Sequence, residues 1–162
     1  MIDTTAESLR RFATFFYPMV KTVNLSDCDI IICPSQDALS YQTTKKVLST
    51  IHDLMHKYES GFDEYKNGEY DRREKHYSMI CKYARGVLVD SKIGKSQVLE
   101  SYSIEQEKIF ILPFVPPLYL LQTQSVDVKL KHSLPDKYLF YPAQFWEHKN
   151  HLNLLGALKI LK

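Results

Sequence analysis

Two short clusters in this chain bring together residues able to do chemistry. The first is His52-Asp53-Leu54-Met55-His56, whose histidines stand four positions apart. On a helix that spacing sets both imidazoles on one face, where they could share a metal ion. The glutamate of the HExxH pattern is missing, however, and a strand-like run precedes the cluster. The alternative is a pair of loop or core histidines that only hydrogen-bond. The second cluster is Glu147-His148-Lys149-Asn150-His151. Here Lys149 stands beside the expected start of a helix, where unpaired N–H groups and the helix dipole attract phosphate. A solvated surface lysine is the plainer alternative. Pooling His52, His56, His148 and His151 would describe a metal-dependent hydrolase.

The elements around the first cluster follow from residue pattern. Asp29 to Cys33 (DIIIC) is a β-branched run stopped by Pro34, and its lack of polar alternation predicts a strand covered on both faces, as in a parallel sheet. Lys45 to Ile51 (KKVLSTI) is a second strand, which sets His52 just past its carboxyl end, where open α/β sheets bind ligands. After a loop from Gly61 to Gly68, Glu69 to Arg85 reads as a helix with Tyr70, Tyr77, Ile80, Cys81 and Ala84 on one face and Gly86 as its C′ residue. On the solvated face, Glu69–Arg73 and Asp71–Lys75 have the spacing of helix ion pairs, each worth roughly 0.2–0.5 kcal/mol. Gly86 to Asp90 (GVLVD) is a third strand, and Ser91 caps a helix from Lys92 to Tyr102 that turns Val98, Leu99 and Tyr102 inward. Lys108 to Leu112 (KIFIL) is a fourth strand, closed off by Pro113, Pro116 and Pro117. Strands alternating with helices predict an α/β fold built on a Rossmann-like parallel sheet.

Beyond the prolines, Leu118 to Asp136 has no clear period and reads as a linker. Lys137 to Tyr141 (KYLFY) is expected to be a strand and Pro142 to His148 a loop. Asn150 is then the N-cap of a helix with Leu154, Leu155, Leu158 and Leu161 on one stripe. That pair has no element of its own to bury the stripe against, so the chain is expected to be a fragment or truncated form.

Composition narrows the function classes. With 162 residues the chain is about one domain long, and 21 Lys and Arg against 19 Asp and Glu leave a formal charge of only +2, which argues against bulk nucleic-acid binding. An apolar fraction of 44% suits a folded protein, and five glycines, none in a GxGxxG or GxxxxGKS arrangement, exclude the usual phosphate loops. Cys28, Cys33 and Cys81 lack CxxC spacing and read as reduced thiols. No apolar run of about 18 residues and no signal-peptide order is present, so a cytoplasmic location is expected. The weakly basic apolar stretch Ser8 to Val23, interrupted by Pro18, leaves peripheral membrane contact open.

Several segments taken in order, IHDLMH (Ile51 to His56), CKYARG (Cys81 to Gly86), VDSKIGKSQVLESY (Val89 to Tyr102), EKIFILPF (Glu107 to Phe114) and YLFYPAQFWEHKN (Tyr138 to Asn150), resemble the group-1, or family-4, retaining glycosyltransferases. Those enzymes have the GT-B architecture of two Rossmann-like domains facing across a cleft. The resemblance implies a partial N-terminal acceptor-side domain over 1–117, an interdomain linker over 118–136, and the first strand and helix of a nucleotide-sugar-binding domain over 137–162. It implies sugar transfer from a nucleotide-sugar, a substrate rather than a cofactor, to an acceptor hydroxyl on a glycan or lipid-linked molecule, without an obligatory metal. By the same resemblance His52 is the candidate catalytic residue, facing the transferred sugar and orienting its hydroxyls. Lys149 would hold the donor diphosphate, with Gln144 lining that loop where the family usually has an arginine. Ser91 matches the family's strand-end serine and reads more simply as the helix cap.

The family's opening strand and Gly-rich loop have no counterpart before Asp29, and its E-x7-E segment has none after the second cluster. A rival reading is a non-catalytic interaction protein that pairs with a complementing chain through the leucine stripe. With most of the donor pocket unmatched, the purified chain incubated with a radiolabelled nucleotide-sugar is expected to transfer no label, and transfer by the chain alone would refute that expectation.

Overall fold

Runs of β-branched residues stiffen the backbone into extended segments, and four of them pair into one sheet. In the computed structural model, which describes residues 17–122 and 127–161, the strands are β1 (Ile30–Cys33), β2 (Lys46–Ile51), β3 (Gly86–Val89) and β4 (Ile109–Ile111). All neighbours are parallel and the order is β1-β2-β3-β4. The α/β, Rossmann-like expectation therefore holds at the level of a mixed α/β fold on a four-stranded parallel sheet.

Helix boundaries follow local chemistry. Pro18 opens helix α1 (Pro18–Leu25), where its missing N–H costs nothing. The stretch Ser8 to Val23 thus has its last part in α1, while residues 8–16 lie outside the described residues. Short α2 (Leu39–Gln42) and α3 (Met55–Tyr58) follow β1 and β2. Helix α4 (Glu69–Tyr83) is the longest among the described residues, and the Ser91 hydroxyl accepts from Gly94 N at 3.0 Å to open α5 (Lys92–Ser101) as a true N-cap. Glu69 takes a bidentate grip on Arg72 (2.7 Å twice) and reaches Arg73 at 2.9 Å, which holds its carboxyl at about 2. Asp71 and Lys75 stay exposed and form no ion pair among the described residues.

Parallel neighbours point paired residues to the same side. One side carries Val47, Cys33, Ile51, Val87, Val89 and Ile109, all buried. Tyr77, Ile80 and Cys81 of α4, Ala84 just past its end and Val98 of α5 close over its centre, while Val20 of α1 and Leu39 of α2 close over its β1 end. Right-handed crossovers taken in the order 1-2-3-4 carry every connection to that one side. The other side carries Ile30, Ile32 and Phe110, which are 45%, 60% and 50% exposed. The expected burial of the DIIIC strand on both faces is thereby corrected: among the described residues its unbroken apolar run meets helices on one face only.

Gly86 is a second correction. Helix α4 ends at Tyr83 with Ala84 extended at its C-cap, and Gly86 already belongs to β3 at negative φ. Its absent side chain serves the bare face instead. A Cβ there would stand 2.9 Å from both Leu48 Cδ2 and Phe110 Cε2 and 3.3 Å from Lys108 O.

The chain forms two compact units: unit 1 is residues 17–61 and Tyr65–Phe114, and unit 2 is Phe62–Glu64 and residues 115–161. Unit 2 holds α6 (Leu118–Gln122), α7 (Val128–His132) and α8 (His151–Ile160). The segment read as a linker therefore includes two short helices. The strand expected over Lys137 to Tyr141 is not formed, because a strand exists only in a ladder and this run pairs with nothing among the described residues. None of the described residues of unit 2 is buried, and along the leucine stripe Leu155 and Leu161 are exposed while Leu154 and Leu158 are half-buried. Among the described residues no helix is long and apolar enough to cross a membrane.

The crowding at Gly86 sets a test of packing. Gly86→Ala should lower the urea midpoint of unfolding by an amount corresponding to about 1–3 kcal/mol, the usual cost of forcing an extra methyl into a filled site.

Candidate functional site

The register Ile51↔Val89 brings the first polar residue after β2 beside the first polar residue after β3. His52 and Asp90 therefore meet at the carboxyl edge of the sheet. The imidazole Nδ1 lies 3.2 and 3.3 Å from the two Asp90 carboxylate oxygens, and Nε2 lies 3.1 Å from the carbonyl oxygen of Pro34, just past β1. Phe114 stacks on the ring at 5.7 Å with planes 20° apart. Both ring nitrogens face acceptors, so neither neutral tautomer donates to both. His52 keeps 34% of its side chain exposed. A ring held in this way has a fixed orientation, and a hydroxyl group approaching either nitrogen would have to replace the acceptor already facing it.

His56 plays a different part. Asp53 accepts from Met55 N at 3.0 Å and starts α3, which turns His56 into the interior, fully buried. Its Nε2 donates to Glu74 Oε1 at 2.7 Å, and the rings of Tyr65, Tyr70 and Tyr77 surround it. Its Nδ1 has no hydrogen-bond partner among the described residues. Glu74 also receives Lys57 Nζ at 2.6 Å and Tyr102 OH at 2.7 Å. Burial works against its charge, yet these donors hold the Glu74 carboxyl below its usual range. Burial, and then the bond to Glu74, push the Tyr102 phenol up. The two histidines of the first cluster thus sit on separate carboxylates, Asp90 and Glu74.

Beside the sheet edge, His76 reads as neutral from its partners. Tyr41 OH donates to Nδ1 at 2.8 Å and Nε2 donates to Gln36 O at 3.0 Å. Burial holds this imidazole below its ordinary value and pushes Tyr77, which donates to Gln36 Oε1, up to about 12. The three cysteines are free, and burial raises Cys33 to about 11 and Cys81 to about 12, so neither is a ready nucleophile.

In unit 2 Lys149 closes a 3₁₀ turn and is exposed two positions before α8. Its carbonyl accepts from Tyr141 OH at 2.9 Å, while Gln144 Oε1 accepts the Trp146 indole N–H. Asn150 does occupy the N-cap of α8, but in the left-handed region (φ 57°) and without a side-chain cap bond. His148 pairs with Glu64 at 2.8 Å, and His151 lies against Tyr141 and Phe145. Among the described residues no group of three or more His, Cys, Asp and Glu is placed to hold a metal ion.

Asp90, Glu74 and Phe114 are the contributors that residue pattern did not single out. Asp90 had a legible signal, since it ends GVLVD as His52 follows KVLSTI, and parallel strands align their ends. Glu74 had none, because its three donors come from distant parts of the chain. Comparison of the chain with family models, curated proteins and solved structures finds no match.

The neutral His76 predicts a pH dependence of known sign. Its folded value lies below the ordinary 6.5, so its contribution to stability is complete above that pH and is lost as pH falls and the unfolded chain takes the proton more readily. Urea midpoints measured at about pH 7.5 and about pH 5 should differ more for the native chain than for His76→Gln, and equal differences would contradict this assignment.

Proposed function

We propose that the sheet unit is the acceptor-side lobe of a nucleotide-sugar-dependent glycosyltransferase of the GT-B kind, and that His52 orients hydroxyls of the sugar being transferred. The observation that carries this reading is the clamping of His52 at the carboxyl edge of a parallel sheet, the place where such sheets receive ligands. Asp90 and the Pro34 carbonyl hold the ring in one orientation, and Phe114 offers an apolar surface of the kind that lies against a sugar ring's C–H groups. To orient a hydroxyl, Nε2 would exchange the exposed Pro34 carbonyl for the sugar while Nδ1 stays on Asp90.

Lys149 is proposed to meet the donor diphosphate. It is exposed just before the N-terminus of a ten-residue helix, and its ammonium would add to the positive end of that helix. Negative charge grows on the diphosphate as the sugar leaves, and a fixed cation there lowers the barrier. Gln144 lines the same loop and could add a neutral hydrogen bond, though its amide oxygen is taken by Trp146.

Saturation-transfer NMR of the chain with uridine- and guanosine-diphosphate hexoses tests this. The expected result is saturation of sugar protons that His52→Ala reduces about tenfold, the loss expected of an oriented hydrogen-bonding group that contributes about 1.4 kcal/mol. Lys149→Ala should weaken free nucleoside diphosphate instead. Absence of binding by any nucleotide-sugar, or binding indifferent to His52, would dismiss the reading.

A further inference from the structure

The side of the sheet away from α4 and α5 is a continuous apolar surface. Ile32 stands beside Leu48, Leu48 beside Gly86, and Leu88 beside Phe110 in register. Ile30, Ile32 and Phe110 are largely exposed, and Leu48 and Leu88 are half-buried. Thr50, on the same side, is buried and donates to Cys33 O at 2.8 Å, so the middle of the surface has no unmet hydrogen-bonding group of its own there. Lys46 is the single charged residue of these strands on that side, exposed at the amino end of β2 and without an ion pair among the described residues.

We propose that this surface docks an amphipathic helix of another polypeptide, one that lays an apolar ridge along β2 and sets its carboxyl end, bearing an acidic side chain, over Lys46. The inference stands apart from the sugar-transfer reading, since it rests on the sheet face and not on His52. Dimensions support a helix. Four strands about 4.8 Å apart and some six residues of β2 at about 3.3 Å each make a patch of roughly 300 Å². That length suits a helix of about 13 residues, whereas a stable face-to-face pair of copies needs about 800 Å² from each.

Charge decides between donors of the helix. The free carbonyls and negative dipole of a helix carboxyl end favour a cation beneath it, and an acidic side chain there adds an exposed charge pair with Lys46. Of the chain's own exposed apolar helices, α6 has five residues and is too short to span the patch, and α8 carries Lys159 and no acidic residue, so a second copy offering α8 would bring like charge to Lys46. A separate, acidic partner meets both requirements.

The test uses the full chain, isotope-labelled, and a synthetic helical peptide of about 14 residues with leucines at i, i+3, i+4 and i+7 and glutamates in its last turn, compared with the same peptide carrying lysines there. Amide shifts should gather at Ile30, Ile32, Leu88 and Phe110, and the glutamate peptide should bind about threefold tighter, the size of an exposed charge pair. Lys46→Glu should reverse that preference, and Ile32→Glu should abolish binding by both peptides. Thermal melts of the two variants should match the native chain, since both positions are exposed; if Ile32→Glu does not fold, Phe110→Ser replaces it. No shifts on this face, or an unreversed preference, would overturn the proposal. So would sedimentation showing a peptide-free dimer that the Ile32 variant breaks, because the occupant would then be a second copy.

Discussion

Parallel strands joined by right-handed crossovers in the order 1-2-3-4 leave every connection on the same side of the sheet, and most of what this protein shows depends on that constraint. The helices α4 and α5 have one apolar face each and one sheet face to spend it on. The core therefore forms as a single layer over Val47, Ile51, Val87, Val89 and Ile109. The same geometry leaves Ile30, Ile32 and Phe110 in solvent although their strands are as apolar as strands buried on both sides.

The constraint also makes the candidate site. Parallel strands in register end together, so the Pro34 carbonyl after β1, His52 after β2 and Asp90 after β3 share one edge. His52 is caught there between the Asp90 carboxylate and the Pro34 carbonyl. Behind that edge a second polar centre ties the connections to the sheet. Glu74 on α4 gathers His56 and Lys57 from α3 and Tyr102 from the end of α5. Removing that carboxylate would strand three donors, one of them on a fully buried ring, which is the costly way to break a buried network. His56 is in this sense structural, while its neighbour His52, half-exposed and clamped, is the one available to a ligand.

Unit 2 obeys a different balance. Its helices carry leucines at helical spacing, but none of its described residues is buried, and no ladder forms over Lys137 to Tyr141. Local propensity is enough to start short helices there, and Asp127 caps one of them by accepting from Leu130 N at 3.1 Å. Propensity alone does not make a core, and Lys149 and Gln144 stand on a loop ahead of a helix end.

What could be read from residue order is what depends on neighbours in the chain. The β-branched runs, the Ser91 cap, the start of α1 at Pro18 and the inward face of α4 are set by φ restriction, side-chain-to-backbone bonds and a period of 3.6, all short-range. His52 at a strand end belongs with them, and its partner Asp90 was legible in the same way. Which face of each strand is covered, why Gly86 must lack a side chain, the gathering of three donors on Glu74 and the failure of Lys137 to Tyr141 to become a strand were decided only by tertiary structure. Each depends on groups far apart in the chain arriving at one place, and an apolar side chain carries no mark of which surface, if any, will come to cover it.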